Sequence, residues 1–108
     1  TGVETVLREF FQHANRILQI TFDIDDHLIY ANSVYVRPED GSLLRRQTHQ
    51  LEALELTNVL LRNIDRAYRR LGIDSDRIEF WTGQIKELQR LIRGWYRKDK
   101  ERYESING

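Results

Sequence analysis

His27 and His49 are the residues of this chain best suited to hold a metal, with Asp23 and Asp26 close to the first of them. Only Asp23 stands four residues from either histidine, and no His-x-x-x-His pair occurs, so both are expected to be solvated or paired with carboxylates, and no metal ligand is assigned. Asp23, Asp25 and Asp26 are carboxylates of the type used in acid-base chemistry. Successive helical positions point around the axis rather than at one substrate, which predicts a solvated, ion-paired face. There is no cysteine, hence no thiolate nucleophile, no disulfide and no cysteine-held zinc. The sequence also has no phosphate-binding glycine loop and no nucleophile elbow. The expectation is a non-enzymatic chain with no catalytic residues, no cofactor and no small-molecule substrate.

A second group of residues points to binding. Arg90, Arg93, Arg97, Lys98, Lys100 and Arg102, preceded by Lys86 and interleaved with Trp95, Tyr96 and Tyr103, could follow a phosphate backbone while the rings stack on bases. Glu87, Asp99 and Glu101 weaken that field. Arg90, Arg93, Tyr96, Arg97, Lys98, Lys100, Arg102 and Tyr103 are therefore the candidate partner-binding residues. Arg8-x-x-x-x-His13 has the spacing of a helical ribonuclease motif of some toxin families, but Glu9 replaces the usual polar residue after the arginine.

These residues must be positioned by a single small domain. The chain has 108 residues, 31% of them charged and 40% apolar, too apolar for disorder and long enough to bury a modest core. No stretch approaches the ~20 apolar residues of a membrane span. Glu4, Arg8 and Glu9 in the opening turns do not fit a signal peptide. A cytoplasmic setting is the default, and the absence of an initiator methionine fits an excised or processed domain. The formal charge is balanced, with 17 basic and 17 acidic residues. Residues 1–42 nevertheless hold seven acids against Arg8, Arg16 and Arg37, which leaves the remainder correspondingly basic.

Hydrophobic periodicity predicts an all-α chain of three long helices, about 3–36, 43–71 and 75–105. Val3, Leu7, Phe10, Ala14, Ile17, Thr21, Ile24, Leu28, Ala31 and Tyr35 recur at steps of three and four, one stripe on one side of a helix. Pro38 pushes Arg37 out of helical geometry, so the first helix should end near Val36, and Ser42 should cap the second. There Leu44, Leu51, Leu54, Leu61, Ile64, Tyr68 and Leu71 share a face, diluted by Gln47, Thr57 and Asn58. Gly72 is placed for a left-handed helix stop, and Asp74 or Ser75 for the next cap. Ile78, Trp81, Ile85, Leu88, Ile92 and Trp95 form the third stripe, leaving Tyr96 to Ile106 for a partner. Gly83 and Gly94, each costing ~1 kcal/mol inside a helix, suggest close approach of a neighbouring helix.

Short connections make the helices antiparallel neighbours, and three stripes facing a common axis bury one another. In that arrangement Asp23, Asp25 and Asp26 stand at the height of Arg93, Arg97 and Lys98, so the charge asymmetry reads as a register device. The competitor is an α+β fold with a hairpin at about 17–36. Ile20, Phe22, Ile24, Ile29, Tyr30, Val34 and Val36 are β-branched or aromatic, and Phe22 to Asn32 resembles the opening hairpin of a PAS sensor domain.

The whole chain resembles the spectrin repeat. Phe10-x-x-x-Ala14-x-x-Ile17-Leu18-x-Ile20 looks like its first helix, His49-Gln50-Leu51-Glu52 like part of its second, and Leu88-x-x-Leu91-x-x-x-Trp95 like its third. Ile20 stands where that family usually has tryptophan. The resemblance implies a structural or protein-binding module, often one of several in tandem. Over residues 43–98, Gln84 to Trp95 also resembles the last helix of the accessory bundle proteins of diversity-generating retroelements, which are basic helical oligomers that bind nucleic acid. With a pI near 6.8, this chain departs from that basicity. The reading that follows is a scaffolding or oligomerisation domain with a protein partner or a second copy. The alternative is a nucleic-acid-binding accessory protein using the basic third helix.

Overall fold

The structure, a computed structural model, describes the backbone of residues 1–107 and the side chains of residues 1–104. Three helices account for it: α1 (Gly2–Ser33), α2 (Ser42–Leu71) and α3 (Ser75–Asn107). No strand occurs among the described residues, so the segment 17–36 is not a hairpin. Its β-branched residues are outweighed by an apolar seam that only a helix can present to α2.

The first helix stops at Ser33, three residues before the expected end. Val34 is already extended (φ −77°, ψ 117°), and its β-branched neighbours lead into Arg37 and Pro38. Ser42 is not the cap. Gly41, left-handed at φ 76°, takes that place, and the Asp40 carboxylate accepts a hydrogen bond from the Ser42 N–H at 2.9 Å. The buried Ser42 hydroxyl turns back into the loop, accepting from the Arg37 N–H at 2.7 Å and facing the Arg37 carbonyl at 3.1 Å. The second connection follows expectation. Gly72 is left-handed (φ 65°) and its N–H reaches the Tyr68 carbonyl, while the Asp74 carboxylate accepts from the Asp76 N–H at 3.0 Å.

Packing differs from three stripes on a common axis. α1 and α3 each pack against α2, α1 more extensively, and no Cα of α1 approaches within 8 Å of one in α3 among the described residues. The Cα trace measures 63 × 23 × 14 Å, a flat and open antiparallel bundle with α2 in the middle. A central helix with neighbours on two sides must bury a wide arc. The buried residues of α2 are therefore Gln47, Gln50, Ala53, Thr57, Leu60, Asn63, Ile64 and Ala67, together with Ser42. Of the expected leucine face only Ile64 is buried, while Leu44 and Leu51 lie exposed. On α1 the seam keeps Ile17, Ile24, Leu28 and Ala31 of the expected stripe and adds Ile20 and His27. Val3, Leu7, Phe10, Thr21 and Tyr35 face solvent.

The two seams differ in chemistry. Ile20 and Ile24 share the core with Ala53, Leu60 and Ile64, and Ala31 and Ala67 are buried on the same two helices. Between α2 and α3, Ile85 and Ile92 join the same apolar cluster, with Ile78 and Leu88 packed against it, and two buried polar groups, Gln89 and Asp99, lie beside them. Asp99, 6% exposed, accepts from Arg46 Nε at 2.7 Å, Arg46 Nη2 at 3.3 Å and Gln50 Nε2 at 2.8 Å. Arg46 also lies 4.9 Å from the centroid of the Trp95 ring. One level along, Gln89 Nε2 donates to Thr57 Oγ1 at 3.0 Å and Asn58 Oδ1 at 2.9 Å. Gln47 Nε2 and Gln50 Oε1 are buried without a partner, one donor and one acceptor three residues apart on the same face.

The charge register expected between α1 and α3 is absent, because the two helices stand apart. Among the described residues Arg46 pairs with Asp99 between helices and His27 lies beside Glu52, and both contacts involve α2. Gly83 and Gly94 have open space where a Cβ would sit, so no helix of this chain approaches them.

Candidate functional site

Because α1 and α3 flank α2 without meeting, a trough remains between them. Phe10, Ala14, Ile17 and Leu18 of α1 form one wall, Leu60, Ile64, Ala67 and Leu71 of α2 the floor, and Trp81 and Ile85 of α3 the other wall. Its volume is about 600 Å³, and Ile73 lies at the end where α2 turns into α3. The apolar surface continues beyond the trough. Leu7, Phe11, Ala14, Leu18, Phe22 and Ile29 recur at helical spacing on the flank of α1 turned away from its α2 seam. Leu7, Phe11, Leu18, Phe22 and Ile29 are each more than half exposed.

Sixteen large apolar side chains are exposed among the described residues, while the core buries six aliphatics of comparable size. Fully burying one such side chain is worth ~1.5–3 kcal/mol, so covering part of this surface would stabilise an assembly.

The candidate binding residues all lie on α3, in different settings. Lys86, Arg90, Arg93, Arg97 and Lys100 follow one another at steps of four and three and are exposed, forming one basic line along the outer face. Arg90 pairs with Glu87, whose carboxyl is held below the usual range by that hydrogen bond, while the Arg90 guanidinium is raised by the same contact. Lys98 is exposed and Tyr96 half-buried. Arg102 lies over the half-buried Tyr103 ring at 5.4 Å, and both border a polar hollow of about 370 Å³ with Tyr35 and Arg46. Asp99, expected to dilute this charge, faces inward and is neutralised by Arg46. Ile106, the expected end of the partner segment, lies outside the residues whose side chains are described.

Other sequence candidates separate. Arg8 and His13 are five residues apart, ~140° around a helix, so they do not share a face; His13 borders the trough. Asp23 accepts from Gln19 Nε2 at 3.0 Å, while Asp25 and Asp26 are exposed. His27 and His49 do meet across the α1–α2 seam, with Nδ1 atoms 2.9 Å apart. The carboxylate beside them belongs to Glu52, not to Asp23 or Asp26, and lies 3.2 Å from His27 Nδ1. Its signal was the His49-x-x-Glu52 spacing, which places both side chains on one face of α2.

No helix of the described residues is long and apolar enough to cross a membrane. Compared with family models, curated proteins and solved structures, the chain matches none, so the family resemblances rest on the residues quoted for them.

Proposed function

We propose that this chain is a non-enzymatic helical assembly domain whose partner is a second copy of itself, seated along the trough between α1 and α3. The observation that carries this reading is the apolar trough continuing into the uncovered flank of α1. Val3, Val6, Leu7, Phe10, Phe11, Leu18 and Phe22 each leave roughly 100 Å² in solvent, which together approaches the ~800 Å² per partner of a stable interface. Charge favours a second copy over an unrelated partner. The acidic first third of one chain complements the basic α3 of another, and a twofold axis applies the match twice.

Light scattering over a range of concentrations tests the proposal. A dimer that persists in high salt supports it, because an apolar interface is not screened. A monomer at every concentration contradicts it.

The second reading, a nucleic-acid accessory protein, is favoured by the exposed line Lys86, Arg90, Arg93, Arg97 and Lys100, with Tyr96 and Tyr103 beside it. Its check is fluorescence anisotropy with a single-stranded oligonucleotide. Binding with a steep inverse salt dependence supports it, and no binding at low salt rules it out.

A further inference from the structure

His27, His49 and Glu52 each offer one ligand atom, and these atoms all lie within 4.8 Å of one another. His27 Nδ1 stands 2.9 Å from His49 Nδ1 and 3.2 Å from a Glu52 carboxylate oxygen. Three lone-pair donors therefore crowd one point. A neutral imidazole carries a single N–H, so one proton on His27 would have to serve both His49 and Glu52. A cation at that point satisfies all three donors.

The spacing is close to what such an ion needs. Two donors bound at ~2.0–2.1 Å stand ~2.9 Å apart at a right angle and ~3.4 Å apart at the tetrahedral angle. The two separations from His27 fall at and between those limits, and the third lies within 4.8 Å.

The supports are rigid. His49 and Glu52 are three residues apart on α2, a spacing that helical bundles use for paired ligands. His27 comes from α1, one turn from Ala31, which is fully buried in the closely packed α1–α2 seam. The Tyr30 ring lies 4.4 Å from the His49 ring, centroid to centroid, and packs beside it. Both imidazoles are partly buried, while Glu52 is half exposed and leaves the remaining coordination positions open to water.

We propose that His27, His49 and Glu52 form a divalent transition-metal site that joins α1 to α2. Two imidazole nitrogens and one carboxylate oxygen suit Zn²⁺, with Co²⁺, Ni²⁺ and Cu²⁺ as substitutes, and disfavour Mg²⁺ and Ca²⁺, which take oxygen ligands. The site lies along α1 and α2 beyond the trough, so it stands whether or not the chain self-associates.

The test uses the full chain freed of metal by a chelator and titrated with ZnCl₂ by calorimetry, with Co²⁺ absorption as a spectroscopic readout. The expected results are one ion per chain, visible d–d bands of low-coordinate Co²⁺, and a melting temperature raised by several degrees in Zn²⁺ but not in Mg²⁺. Glu52→Gln, at a half-exposed position that tolerates substitution, should weaken Zn²⁺ binding by tenfold or more, and His49→Ala should abolish it. His13→Ala should change nothing. No stoichiometric binding by the unmodified chain overturns the proposal. So does affinity that survives both Glu52→Gln and His49→Ala, or that is lost with His13→Ala. Should His49→Ala fail to fold, Glu52→Gln decides the matter alone.

Discussion

The two seams of α2 hold their neighbours by different means. Toward α1 the contact is Ile20, Ile24 and Ala31 on Ala53, Leu60, Ile64 and Ala67, a surface that gains free energy wherever apolar atoms leave water. Toward α3 it includes Asp99 held by Arg46 and Gln50, and Gln89 held by Thr57 and Asn58, groups that are satisfied in one alignment only. Apolar contacts carry no direction, so they tolerate small shifts better than a buried ion pair does. A buried carboxylate displaced by one turn loses its guanidinium. Ile85 and Ile92 add apolar contact on the α3 side as well, so the α1 seam is mainly adhesive while the α3 seam combines adhesion with register.

The largest expected effect comes from breaking the polar seam on one side. Asp99→Ala leaves Arg46 buried without its carboxylate and should cost about 3–5 kcal/mol in denaturant unfolding. Replacing Arg46 and Asp99 together with leucine should recover most of that loss while widening the α3 amide resonances in NMR, because the register is no longer fixed. Equal loss in the single and double variants would show that the pair contributes stability rather than alignment.

On the apolar side, Ile24→Ala should cost about 2–5 kcal/mol through lost burial and the cavity left against Ala53 and Leu60, with no change in α3 register. Hydrogen exchange resolved by residue checks this. Protection should fall along α1 and α2 first and persist least where α1 is exposed, at residues 2–16.

A smaller gain is expected at the helix interior. Gly83→Ala and Gly94→Ala should each stabilise by ~1 kcal/mol, since a methyl group meets open space at both positions. Thermal melts would detect it. Loss of stability at either position would mean that a second copy packs there, which moves the interface from the trough to the outer face of α3.

The smallest effect concerns the loop between the seams. The hydrogen bonds from Ser42 hold the Asp40 carboxyl below the usual aspartate range, with Arg45 and Arg37 adding to the shift. A depressed folded-state value means that the stabilising contribution is complete above the unfolded value and is lost as pH falls through the folded one. Stability should therefore decline slightly more steeply below about pH 4 in the parent than in Asp40→Asn, as read by melts at stepped pH.

Much of the fold was legible in the sequence. Three uninterrupted apolar periodicities, Gly72 and the Asp74 cap were enough to set the helix count, the order and the second turn. What was not legible was which face of α2 would be buried. Leucine spacing marks Leu44 and Leu51, yet a helix flanked on two sides buries the arc that carries Gln50, Ala53 and Thr57. Polar residues read as dilution because their partners, Asp99 and Gln89, sit on α3, thirty to fifty residues away. The basic line of α3 was visible as a pattern, whereas the inward turn of Asp99 was not. The histidine pair was visible too, whereas the nearness of Glu52 depends on which face α2 turns toward α1, and the sequence does not show that face.

Sedimentation equilibrium of the parent chain beside Leu18→Glu tests the central claim most directly. Leu18 is half exposed on the trough wall, so a charge there leaves the single chain folded while opposing an apolar partner. The account predicts a dimer for the parent and a helical monomer for Leu18→Glu, with association weakened by tenfold or more. Identical masses for the two would contradict it.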